Sequence, residues 1–268
     1  MSAELLDEAD PDRVERIFRE RFDDPASFTF YFVGNMDLET AKPLIEKYLG
    51  GLPRITKNES WKDHGVRAPE GMIIKQVVRQ MEVPKATVNL NYSGTYDYDI
   101  IQNRLNLAAL CEILDIRYTE TIREEQGGTY GVAVYPMQTH YPFENYRVII
   151  FFDCDPENTG KLKDIVYQEI EKLKTEGPTD KDLHGVKENK IKVHQENLRQ
   201  NNYWINIIKN KDYYQTDLSE FIDYEEYVNN MTRESMKAAA QQFFSGNIVE
   251  GVLLPVNIED NTANPGHK

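Results

Sequence analysis

The chain has 268 residues, with 31 Lys plus Arg against 45 Asp plus Glu and a formal charge of −14 at pH 7. Hydrophobic residues make up 40% and aromatics 11%, which is enough to bury a core and excludes wholesale disorder. The acidic balance argues against a nucleic-acid binder, and no apolar run approaches the roughly 18 to 20 residues of a membrane span.

Pro11, Val14, Ile17, Phe18 and Phe22 predict an amphipathic helix over 11–22, with proline in its first turn. The run Phe28 to Val33 reads as a short aromatic strand closed by Gly34-Asn35. A second helix from Asp37 to Tyr48 places Leu38, Ala41, Leu44, Ile45 and Tyr48 on one side, and Gly50-Gly51 and Pro53 stop it. Residues 53–70 carry two prolines and no period, so they read as a linker.

Met72 to Val78 is apolar and β-branched, and Ala86, Val88, Leu90 and Tyr92 alternate with polar neighbours as in a half-buried strand. A long helix follows over roughly 99–125, with the stripe Leu107, Leu110, Cys111, Leu114, Tyr118 and Ile122, and Gly127-Gly128 caps it. Strands are predicted at 129–135 and 146–153, around a loop holding His140 and Pro142. Leu162 to Leu173 forms the next helical stripe, broken by Gly177-Pro178. Thr179 then caps a helix carrying Leu183, Val186, Ile191, Leu198 and Trp204. Thr232 caps a last helix to Phe244, and Val249 to Pro255 forms the last strand.

Residues 12–35 echo residues 234–257 without gaps. Val14 falls on Met236, Ile17 on Ala239, Phe22 on Phe244, Phe30 on Val252 and Phe32 on Leu254. A repeat of this kind predicts the end of one domain followed by a whole copy of the same domain. The division expected is 1–52 as the remnant of a preceding homologous domain, 53–70 as linker, 71–258 as a complete domain and 259–268 as a tail.

Chemistry is sparse. The five histidines include no H-x-x-E-H, H-x-x-x-H or H-x-H pair, so no helix turn aims two imidazoles at one ion. His184 and Glu188 sit one turn apart, a spacing common on solvated faces. There is no G-x-S-x-G elbow and no phosphate-binding glycine loop. Cys111 and Cys154 read as small buried side chains. What remains is Arg123-Glu-Glu-Gln-Gly-Gly-Thr-Tyr130, which sets a guanidinium in a helix's last turn, a glycine cap and a phenol at a strand opening. Read on its own, that segment is more readily an ordinary helix-to-strand turn, in which Arg123 pairs with a local carboxylate and Tyr130 packs.

Ile122 to Val132 resembles a segment of the C-terminal half of the pitrilysin/insulinase family of inverted-zincin metallopeptidases. Val33-Gly-Asn-Met-Asp, Leu44 to Gly50 and the helix Asp182 to Trp204 resemble further family motifs in the expected order. The resemblance implies an α/β (α+β) fold, with a mainly antiparallel sheet covered on one side by helices. It implies a zinc-dependent endopeptidase in which two halves enclose a peptide. Arg123 and Tyr130 match the family's substrate-holding pair, seven residues apart. Tyr130 would stabilise the scissile carbonyl, Arg123 would anchor substrate backbone, and Gly127 and Gly128 would shape the approach.

This sequence lacks H-x-x-E-H. No metal ligand is therefore assigned here, no cofactor is expected in this fragment, and zinc is expected in the missing N-terminal half. Expected partners are peptide substrates and that half, on the same protein or on a catalytic partner subunit, with a homodimer permitted and no nucleic acid or membrane insertion. The fragment alone is expected to be inactive. The alternative is a non-catalytic relative serving as a scaffold or partner subunit. The compartment, periplasmic or cytoplasmic, stays open.

Overall fold

Alternation along Ala86 to Gly94 sets the plan of the larger part of the molecule. Val88 and Leu90 are fully buried, while Asn89 and Asn91 between them face the other way and are half-buried. The computed structural model describes residues 6–53, 60–126 and 131–256, without the side chains of 123–126. The chain divides into two units, residues 63–197 with 214–268, and residues 1–62 with 198–213.

The larger unit holds one five-stranded sheet, built from β1 (Met72–Arg79), β2 (Ala86–Gly94), β3 (Val132–Thr139), β4 (Asn145–Cys154) and β5 (Asn247–Pro255). Their order is β1-β5-β2-β4-β3. β1 runs parallel to β5, and the other three pairings are antiparallel. Val88 lies opposite Phe152 on one side and Val252 on the other, so their side chains share one face. Helices cover that face. Leu107, Leu110 and Leu114 of Ile101–Gln126, Leu162 and Val166 of Thr159–Glu176, and Met236 and Phe243 of Arg233–Phe243 are all buried there. Each such aliphatic side chain contributes about 1.5–3 kcal/mol by leaving water. The fold class expected from the sequence is the one observed.

Charge also enters this apolar layer. Glu250 of β5 is buried, and it accepts hydrogen bonds from Lys163 Nζ and from Tyr167 Oη at 2.6 Å. Burial and the adjacent carboxylate push the Tyr167 phenol far above its ordinary range. Tyr167 therefore keeps its proton and donates it to Glu250.

Helix boundaries follow local chemistry. Thr179 Oγ1 accepts from the Asp182 N–H at 3.1 Å while the Thr179 N–H donates to Asp182 Oδ2 at 2.9 Å, a reciprocal cap on Asp180–Asn197. Thr232 and Ser235 make the same box at the start of Arg233–Phe243. Gly177 ends Thr159–Glu176 at φ 78°, ψ −176°, a backbone region essentially restricted to glycine.

The smaller unit contains the helices Pro11–Phe22 and Leu38–Tyr48 and most of Asn201–Tyr214. Asp10 and Asp37 cap the first two, accepting from Asp12 N at 3.0 Å and Thr40 N at 2.8 Å. The strand expected at Phe28 to Val33 does not form: the segment is not in a sheet. An extended run becomes a strand only with a ladder partner, and the described residues supply none here. The helix expected to run from Thr179 through Trp204 is likewise two helices. It breaks at 198–200, where Trp204 Nε1 donates to the Leu198 carbonyl at 2.8 Å.

Candidate functional site

The helix Ile101–Gln126 and the edge strand β3 frame the segment singled out in the sequence. The helix is held from three sides. Tyr118 Oη donates to the Val166 carbonyl at 3.0 Å, and Arg117 reaches Asp182 at 2.6 Å and Glu169 at 3.3 Å. Asp115 Oδ1 accepts the Val134 N–H at 3.2 Å, and Gln138 Nε2 donates to the Arg104 carbonyl at 2.8 Å, which lays β3 along the helix. Ile122 and Val132, the residues just before and just after the segment 123–131, are both buried. Both described flanks are thus held in the core.

The backbone of Arg123 lies in the last turns of this helix; its side chain, and all of Gly127, Gly128 and Tyr130, lie outside the described residues. β3 pairs with β4 alone, so its other edge has no strand partner among the described residues.

The remaining candidates resolve as packing or surface. Cys111 and Cys154 are buried, and burial pushes both thiols up, away from the reactive thiolate. His184 and Glu188 form an exposed one-turn pair at 3.3 Å. Desolvation pushes the Asp182 carboxyl up, but hydrogen bonds from Arg117 and Thr179 outweigh it, and the net shift is downward. One group escaped the spacing search because its members come from separate segments: Asp99, His140 and Glu144 converge in space.

Residues 10–190 match the family model described as the peptidase M16 inactive domain. That match spans more than half of the chain, and the chain belongs to this family. Among curated proteins it is 30% identical over 224 residues to a zinc protease PQQL-like from Arabidopsis thaliana, covering 76% of this chain and 22% of the relative. It is 24% identical over 244 residues to the probable zinc protease PqqL of Escherichia coli, covering 88% and 26%. The chain thus spans about a quarter of the length of the curated relatives it matches. Its fold is similar to part of the periplasmic protease PqqL from Escherichia coli, with TM-score 0.67 and 22% identity over 83% of this chain and 24% of that one. The peptidase M16 inactive domain from Pseudomonas fluorescens is similar at TM-score 0.62 and 19% identity, covering 84% and 53%. Among the described residues, no helix is long and apolar enough to cross a membrane.

Proposed function

We propose that this chain is the substrate-binding, non-zinc-binding part of a zinc endopeptidase, working with a zinc-bearing half on the same protein or on a partner subunit. The observation that carries this reading is the double anchorage of segment 123–131, between buried Ile122 and buried Val132, at the end of a helix pinned along an edge strand. A clamp that positions substrate needs such a frame, because a displacement of about 1 Å can cost about a hundredfold in rate.

Arg123 holds the peptide backbone beside the scissile bond through its planar fork of donors. Tyr130 donates its hydroxyl hydrogen to the scissile carbonyl oxygen as that oxygen gains charge. Gly127 and Gly128 let substrate backbone approach where a Cβ would block it. A zinc ion held by the other half would supply Lewis-acid polarisation of the carbonyl and an activated water. The sequence has no H-x-x-E-H to hold it, so no step assigned to this chain runs through the metal.

The domain division proposed is 1–52 as the close of a preceding sister domain, 53–70 as linker, 71–258 as a complete domain and 259–268 as a tail. Burial supports the repeat behind it. The N-caps Asp10 and Thr232 fall on each other at the same offset as the rest of the echo. Met236, Ala239, Phe244 and Val252 are 0–6% exposed, whereas their counterparts Val14, Ile17, Phe22 and Phe30 are 46–60% exposed. The second copy is covered by its own domain. The first displays the same face uncovered, as expected of a piece whose covering strands and helices lie elsewhere in a longer protein.

The test is kinetic, in the full-length protein. Tyr130→Phe lowers kcat by about 10²–10³-fold, the usual cost of one lost donor to a developing oxyanion. Arg123→Ala acts mainly through KM. Peptide turnover that survives both changes overturns the assignment. An upstream H-x-x-E-H belongs to the enzyme reading, and a degenerate version of it to the scaffold reading.

A further inference from the structure

We propose that Asp99, His140 and Glu144 form a binding site for one divalent transition-metal ion, separate from the zinc of the family. Asp99 lies two residues before the helix Ile101–Gln126, and His140 and Glu144 lie in the turn between β3 and β4. One imidazole nitrogen and two carboxylate oxygens come within 4.8 Å of one another. His140 Nε2 is 3.3 Å from Asp99 Oδ1 and 3.7 Å from Glu144 Oε1. Donors on a four-coordinate ion with bonds of about 2.0–2.2 Å stand about 3.3–3.6 Å apart, so a cation fits between these atoms with small side-chain adjustments. The donor set, one imidazole with two carboxylates, suits a borderline ion better than a purely oxygen-seeking one.

Two further observations point to a cation. Neither Asp99 nor Glu144 is paired with a lysine or arginine among the described residues; their ion-pair contacts are both to His140. Arg104, which packs on the Tyr98 ring, is already paired with Glu220. Two carboxylates thus converge on one imidazole nitrogen with no lysine or arginine among the described residues paired to them.

The site is also held in shape. The Tyr98 N–H donates to Glu144 Oε2 at 3.1 Å, leaving Oε1 on the His140 side. The rings of Tyr98, Tyr141 and Tyr214 lie 4.9, 4.3 and 5.7 Å from the imidazole and fix its plane. Nδ1 is buried without a hydrogen-bond partner, so Nε2 is the ring atom through which His140 meets polar groups. The Asp99 side chain is 73% exposed, which leaves an open approach for the ion.

A cation here joins the lead-in to the helix Ile101–Gln126 to the β3–β4 turn, at the opposite end of the helix from Arg123. Its role is structural, and it does not depend on the proposed peptide clamp. The probe is cobalt(II), titrated into the metal-stripped chain by calorimetry and visible absorption. The expected result is one site per chain with the absorption bands of mixed nitrogen and oxygen ligation, and a melting temperature that rises with cobalt. His140→Ala abolishes the bands and the rise, and Asp99→Asn, at an exposed position that leaves the fold intact, weakens binding at least tenfold. Absence of cobalt binding, or binding of equal strength in wild type and Asp99→Asn, overturns the proposal and leaves a plain imidazole–carboxylate contact.

Discussion

Arg117 does more for the large unit than its place in the sequence suggests. It joins the helix Ile101–Gln126 to Glu169 on one neighbouring helix and to Asp182 on another, with side chains 11–17% exposed. Because the folded Asp182 carboxyl titrates below its unfolded value of about 3.9, its contribution is full above about pH 4. It is lost as pH falls through the lower folded value. Asp182→Asn therefore flattens the acid limb of stability against pH, a difference readable in denaturant titrations at pH 6 and pH 3. Gly177→Ala meets two obstacles, a glycine-only backbone conformation and a Cβ that would lie 3.1 Å from the Arg233 carbonyl oxygen. It should cost about 1–3 kcal/mol, seen as a lower urea midpoint at unchanged slope. The Thr179 cap was legible because its partner is three residues away. The Arg117 pairs and the Asp99–His140 contact were not, because their partners lie 41 to 65 residues off and only the folded chain brings them together.

At the scale of elements, periodicity and caps located the five strands and the four long helices of the large unit, but not the short helices Ser219–Ile222 and Tyr224–Asn229. Two failures have physical causes. Residues 198–200 contain no glycine or proline, so nothing local announces the helix break, which falls where the chain passes from one unit to the other. Phe28 to Val33 has the composition of a strand, but composition cannot supply a ladder partner. The capping box at Thr232 is a local device, and Thr232→Ala should destabilise by about 1 kcal/mol in chemical denaturation. Phe18, Phe22, Phe28 and Phe30 form a row of ring contacts with centroids 4.8 to 6.3 Å apart, and they are 38–59% exposed. Phe18→Ser with Phe22→Ser should reduce the chain's binding of a hydrophobic dye. Its unfolding free energy should change by no more than about 1 kcal/mol, since little burial is lost.

For the whole molecule, the family resemblance supplied both the class, a mainly antiparallel sheet with helices on one face, and the expected division of labour. The parallel pairing of β1 with β5 had no signature in either strand, because register between segments about 170 residues apart is set by the fold. The match places the chain in the peptidase M16 inactive-domain family, and the role proposed for it is to contribute to peptide cleavage without carrying it out. Peptide hydrolysis by this chain alone, with zinc supplied and beside the full-length protein, tests that claim most directly. The account predicts chelator-sensitive turnover from the full-length protein and none from the chain; chelator-sensitive cleavage by the isolated chain would contradict it.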